Sequence, residues 1–212
     1  MRTLAAALCL IAGSALAHNG VDHSSEAEAQ AHAAETAPIP PLAPPTALPF
    51  AMGGAFTLID HTGAERTQAD PDGHFQMLFF GYANCPSICA VAMPLMAQVS
   101  SQLSAEGFPV TPIMVTVDPE RDTVENMEKP LKALHDDFVG LTGSEDALNH
   151  VYDLYGVESE VVFEDPEYGP IYAHGSHIYL LNGAGEVLTL LPPILSADRV
   201  AQIVANYAAE GV

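Results

Sequence analysis

The chain of 212 residues carries 27 acidic side chains against six basic ones, a formal net charge of −21. Such a balance excludes a surface built for nucleic acid or anionic lipid and suits a cation or a basic protein as partner. With 49% hydrophobic residues, the chain has enough apolar material for one domain with a sizeable core.

Met1-Arg2, the apolar stretch from Leu4 to Ala12 and the small-residue site Ala15-Leu16-Ala17 have the layout of a cleavable secretory signal over residues 1–17. The apolar run is too short for a membrane span. Leu8 before Cys9 disfavours a lipoprotein anchor. Cleavage after Ala17 removes Cys9 and leaves Cys85 and Cys89 in the periplasm or another oxidising, extracytoplasmic space. One close pair is not a disulfide scaffold, so its purpose is chemical. Residues 18–50 turn to Ala, Glu, Ser and Pro, and read as a disordered tail and stiff linker. His18, His23 and His32 lie there. As the new N-terminus, His18 would offer an α-amine and an imidazole to a metal, although a solvated polar tail also explains the composition.

The folded domain is expected over residues 51–212. Phe56 to Asp60 and Ala64 to Thr67 flank His61-Thr62-Gly63 and predict an added N-terminal β-hairpin. The apolar run Phe75 to Phe80 predicts a central strand that leads into Cys85-Pro86-Ser87-Ile88-Cys89. Pro86 suits the first turn of a helix, which would put Cys85 and Cys89 at i and i+4 on one face. The helix N-terminus would favour thiolate over thiol. A helix follows to about Ala105, with Pro94 expected to kink it or start a second segment. Met93 and Met96 are soft thioethers near the cysteines, but their helical spacing is the ordinary signature of core packing.

Val110 to Val117 predicts a second strand, and Asp118-Pro119 a turn or helix start. A helix from Val124 to His135, a strand at Phe138 to Leu141, and a helix from Ser144 to Tyr155 closed by Gly156 come next. Glu158 to Tyr168 lacks periodicity and reads as an exposed acidic loop. Ser176 to Leu181 and Glu186 to Leu190 form a hairpin through Asn182-Gly183-Ala184-Gly185, before a last helix from Ser196 to Tyr207. Alternating elements of this kind describe an α/β domain with a central mixed sheet flanked by helices.

Two thiolates can form a reversible disulfide or hold a soft metal such as Cu(I). A histidine near a neighbouring strand would complete a metal site, and His174 and His177 are both candidates. Two thiolates and an imidazole suit Cu(I), or Cu(II) with an added water or carboxylate, and with only three donors evident structural zinc is disfavoured. Tyr82, rather than Thr or Ser, stands three residues before Cys85 and argues against a peroxidase.

Four motifs occur in order: Phe79-Phe80-Gly81-Tyr82 with Cys85-Pro86-Ser87-Ile88-Cys89, Thr116 to Thr123, Leu141-Thr142-Gly143, and His174 with Tyr179-Leu180-Leu181. Together they resemble the Sco/SenC family of copper proteins over about Phe56 to Tyr207. The resemblance implies a thioredoxin-like fold and a copper site of Cys85, Cys89 and His174, to the exclusion of His177. It also implies copper delivery, or thiol reduction, for the binuclear copper centre of a cytochrome c oxidase subunit. In the second case Cys85 would attack, Cys89 would resolve, and a thioredoxin-like reductant would restore the pair. Glu164, Asp165 and Glu167 would help to dock the partner. The chain departs from the family pattern at Ser87 (usually Asp), at Ala90 (usually Pro) and at Ala173 (usually acidic).

Overall fold

The computed structural model describes residues 42–211, so the expected signal segment and the histidines of the tail lie outside the described residues. The first elements are the hairpin β1 (Thr57–Asp60) and β2 (Glu65–Thr67), with Gly63 at φ +86° in its turn. Next come β3 (Phe75–Gly81), α1 (Cys89–Ala105), β4 (Val110–Thr116) and α2 (Val124–Lys132). Then β5 (Val139–Thr142) and α3 (Glu145–Tyr155) precede a hairpin of β6 (Glu160–Asp165) and β7 (Gly169–Ala173). The hairpin β8 (Ile178–Leu181) and β9 (Val187–Leu191) and the helix α4 (Ala197–Glu210) complete the domain.

Seven strands form one mixed sheet in the order β2-β1-β5-β4-β3-β8-β9. β3 runs parallel to β4 and antiparallel to β8, so both its edges are hydrogen-bonded. The unit β4-β3-β8-β9, with α1 crossing between the parallel pair and α4 following the last hairpin, is a thioredoxin-like arrangement. Successive residues of β3 face opposite sides. Phe80 meets the rings of Tyr152 and Tyr155 from α3, at centroid distances of 5.9 and 5.4 Å. On the other side, Phe79 shares a face with Gly81, where the backbone passes against Cys89 of α1. Helices therefore cover both faces, and β3 is buried from Gln76 to Gly81, apolar apart from Gln76, whose Nε2 donates to the Gln68 carbonyl.

The caps follow from side-chain chemistry. Ser144 Oγ accepts from the Ala147 amide at the start of α3, and Ser196 Oγ accepts from Arg199 at the start of α4. Gly156 closes α3 in the left-handed region at φ 63°.

Four expectations need correction. α1 begins at Cys89 rather than Pro86, because Cys85 to Ile88 form a turn in which the Ala90 amide bonds to Ser87 O at 3.1 Å. Of the two outcomes expected of Pro94, a second segment is excluded, since the residue lies inside the single helix α1. α2 ends at Lys132, three residues earlier than expected, and the chain turns there as the Leu134 amide bonds to Leu131 O at 3.0 Å. The stretch read as a loop from Glu158 to Tyr168 contains β6, which pairs with β7 in a separate two-stranded sheet. Its side chains are largely exposed, so it lacks the apolar alternation that marks a half-buried strand.

Phe80 is 1% exposed and touches three tyrosine rings. Phe80→Ala is expected to cost about 3–5 kcal/mol of stability, as a cavity that the sheet cannot collapse around. Urea unfolding checks this: the midpoint falls while the slope stays unchanged.

Candidate metal centre

Three loops meet at one end of the central strands. β3 delivers the cysteine turn, β4 delivers the loop from Asp118 to Asp122, and the segment between β7 and β8 carries His174. Cys85 Sγ, Cys89 Sγ and His174 Nε2 all lie within 4.8 Å of one another. Nε2 stands 3.6 Å from Cys89 Sγ and 4.0 Å from Cys85 Sγ. His174 Nδ1 is 3.1 Å from the carbonyl of Gly175. A proton on Nδ1, donated to that carbonyl, gives the tautomer a metal requires, whereas with the proton on Nε2 the ring donates to the Cys85 thiolate. The imidazole is also held edge-on by Phe79 and Tyr82, each with ring centroids 5.8 Å away.

The approach of Cys89 to the sheet depends on Gly81. A Cβ there would stand 2.8 Å from the Phe79 ring and 3.0 Å from Cys89 Sγ. No other residue leaves room for both.

The two thiols are unequal. Cys85 retains 9% of its surface and Cys89 only 1%. A hydrogen bond from the Cys89 thiol holds Cys85 far below the ordinary thiol range, with smaller help from His174 and Ser87. Ser87 Oγ lies 3.4 Å from Cys85 Sγ. Cys89 is pushed strongly upward, first because it donates to Cys85 and then because it is buried. The resting pair is a Cys85 thiolate held by a Cys89 thiol, with the more accessible sulfur being the nucleophile. Burial, aggravated by the neighbouring Cys85, also keeps the Tyr82 phenol protonated.

Residues beyond the motif cysteines support the turn. Asp122 accepts from the Ala83 amide at 3.0 Å and from Thr116 Oγ1 at 2.8 Å, which ties the loop after β4 to the cysteine loop. In the sequence, Asp118 to Thr123 reads as a turn or helix start and as part of a family motif, with no role assigned to Asp122. The signal available was the run of charged side chains itself, next to a strand parallel to the one that bears the cysteines.

The other candidate residues fall elsewhere. His177 is exposed, in the approach to β8. Met93 and Met96 are buried in the core at 6% and 0% exposure. Glu164 and Asp165 end β6, with Glu167 in the turn to β7, where Asp165 accepts from the Glu167 amide at 2.8 Å. A second grouping of Asp70, Asp72 and His74 is structural. Asp70 already accepts from the Asp72 and His74 amides and from Thr111 Oγ1.

Iodoacetamide should modify Cys85 as a thiolate well into the acid range while Cys89 stays inert; mass mapping of the reduced protein reads it. A Cys85 rate that fades below about pH 8, as for a free thiol, would contradict the asymmetry. Burial pushes the Asp122 carboxyl up to about 6 from the usual 3.8. Between those pH values the folded chain keeps a proton that the unfolded chain has released, so this group's contribution to stability falls as pH rises. The stability advantage of wild type over Asp122→Asn should therefore be larger at about pH 4 than at about pH 7 in urea unfolding.

A model of the family described as SCO1/SenC matches residues 45–209. The mitochondrial SCO2 homolog of Bos taurus is 37% identical over 158 residues, 74% of this chain and 59% of that protein. The chain thus spans under two thirds of the length of this curated relative. Among solved structures, Arabidopsis thaliana ScoI with copper bound is 27% identical at a TM-score of 0.69, covering 75% of this chain and 99% of that one. Yeast Sco1 with copper bound is 26% identical, also at 0.69, covering 77% of this chain and 91% of that one. With the family model matched over residues 45–209, nearly all of the described domain, the chain belongs to the SCO1/SenC family.

Proposed function

We propose that this protein is an extracytoplasmic copper carrier, with Cys85, Cys89 and His174 holding the ion. The observation that carries this reading is the convergence of two sulfurs and one imidazole Nε2 within 4.8 Å. Two thiolates and an imidazole form a soft donor set that prefers copper to oxygen-seeking cations. Copper capture displaces the proton that Cys89 shares with Cys85, so binding releases a proton and weakens in acid. The copper-bound relatives from Arabidopsis and yeast support the same cargo.

Delivery to the binuclear copper centre of cytochrome c oxidase, in the periplasm, is the destination we infer from the family resemblance and the leader-like N-terminus. No described helix is long and apolar enough to cross a membrane. Glu164, Asp165 and Glu167 sit on the hairpin that leads to His174, so a basic recipient that meets this surface also meets the donor loop.

The unequal thiols favour one second reading, a thiol–disulfide reductase. Cys85 thiolate attacks a partner disulfide, a mixed disulfide forms, and one partner thiolate leaves. Cys89, deprotonated, then attacks Cys85 Sγ and releases the second partner thiolate, which leaves the pair oxidised. A thioredoxin-like reductant would supply the two electrons that restore it.

Anaerobic titration of the reduced protein with Cu(I) against a chromophoric competitor separates the two readings. One copper per chain, weakened more than about tenfold by His174→Ala, is the result expected of the carrier. Binding indifferent to His174, with disulfide exchange intact, would transfer the function to reduction.

A further inference from the structure

We propose that Arg121 is the positioning residue that holds His174 over the cysteine pair, by latching the β6–β7 hairpin to the loop after β4. The inference rests on the three-donor reading of the site. Among the described residues, β6 and β7 pair only with each other and form no ladder with the seven-stranded sheet. His174 follows Ala173, the last residue of β7, without a linker. The ring's position therefore depends on whatever ties this hairpin down.

The ties converge on Arg121. Its Nε donates to the Asp118 carboxylate and its Nη1 donates to the Tyr168 carbonyl. Nη2 donates to the Pro170 carbonyl at 3.0 Å. One planar guanidinium thus grips the backbone on both sides of Gly169, the first residue of β7, while a buried carboxylate fixes its orientation. Gly169 admits the grip. Its φ is +75°, and a Cβ there would stand 2.6 Å from Nη1.

The same group reaches the copper side. Arg121 Cζ lies 5.7 Å from the centroid of the Tyr82 ring, and Tyr82 in turn packs against His174. Tyr172 Oη adds a bond to Asp118 Oδ1 at 3.2 Å, and Asn84 Nδ2 adds one to the Tyr168 carbonyl at 3.4 Å. Lysine cannot reproduce the fork, since it carries a single rotating ammonium in place of three aligned donors.

The test is a double-mutant cycle read by Cu(I) competition titration and by amide hydrogen exchange of residues 168–174. Arg121→Met is expected to weaken Cu(I) binding by about 10–100-fold, the usual consequence of losing a supporting partner of a ligand. It should also speed exchange in the hairpin while the amides of β3 and β4 keep their protection. In the His174→Ala background the same substitution should change Cu(I) affinity less than about twofold, because Arg121 acts through that ring. Arg121→Lys, which keeps the charge, should show intermediate hairpin exchange and serves if the Met variant does not fold.

Wild-type exchange and affinity in Arg121→Met would overturn the latch. So would an equal loss of affinity with and without His174. If His174→Ala alone leaves copper binding intact, the three-donor reading falls, and hairpin exchange still decides whether Arg121 holds the hairpin.

Discussion

A strand buried on both faces must satisfy its backbone along both edges, and β3 does so between β4 and β8. That requirement fixes where the chain can leave the sheet. Parallel pairing of β3 and β4, from Phe75 with Val110 to Gly81 with Thr116, sets their C-terminal ends side by side. Antiparallel pairing of Leu78 with Tyr179 brings the start of β8 to the same end. The cysteine turn, the Asp118 to Asp122 loop and the His174 segment are then neighbours although far apart in sequence. Open α/β sheets present ligand sites at such carboxyl ends for this topological reason.

The electrostatics of the site run against the charge of the chain. A net charge of −21 would disfavour a thiolate, and no lysine or arginine touches either sulfur among the described residues. Hydrogen bonds from Cys89, His174 and Ser87 stabilise the Cys85 thiolate instead. These donors are local, so salt hardly screens them. Arg121, one of only six basic residues, is used on backbone carbonyls beside the site rather than on a sulfur.

Much of this was legible in the sequence wherever burial left a pattern. The apolar run of β3, the Asn182-Gly183 hairpin, and the serine and glycine ends of α3 all carry local signals that tertiary packing reinforces. Cys85, Cys89 and His174 were legible as candidate donors, although spacing alone could not choose between His174 and His177. The hairpin of β6 and β7 was not legible. Val161, Val162 and Phe163 are all about half exposed, so neither strand face was marked by polarity. The start of α1 was misplaced because Pro86 is as compatible with a turn as with a helix. Contacts of Asp122 and Arg121 to loops across the sheet were also hidden, since no local rule relates them to residues 83 or 168–170.

The three departures from the family pattern can be ranked by what each side chain touches. Ala90 and Ala173 are exposed, and an alanine methyl offers no polar group to the donor atoms. A carboxylate at position 173 would add charge to the exposed surface beside His174, whereas a proline at position 90 would change only the first turn of α1. Ser87 is different, because its hydroxyl lies 3.4 Å from Cys85 Sγ and helps to keep that sulfur ionised. An aspartate there would place a negative charge beside a thiolate and raise the cost of ionising it, where serine supplies a neutral donor. Serine at 87 therefore suits a site whose reactive sulfur is held by hydrogen bonds rather than by a cation.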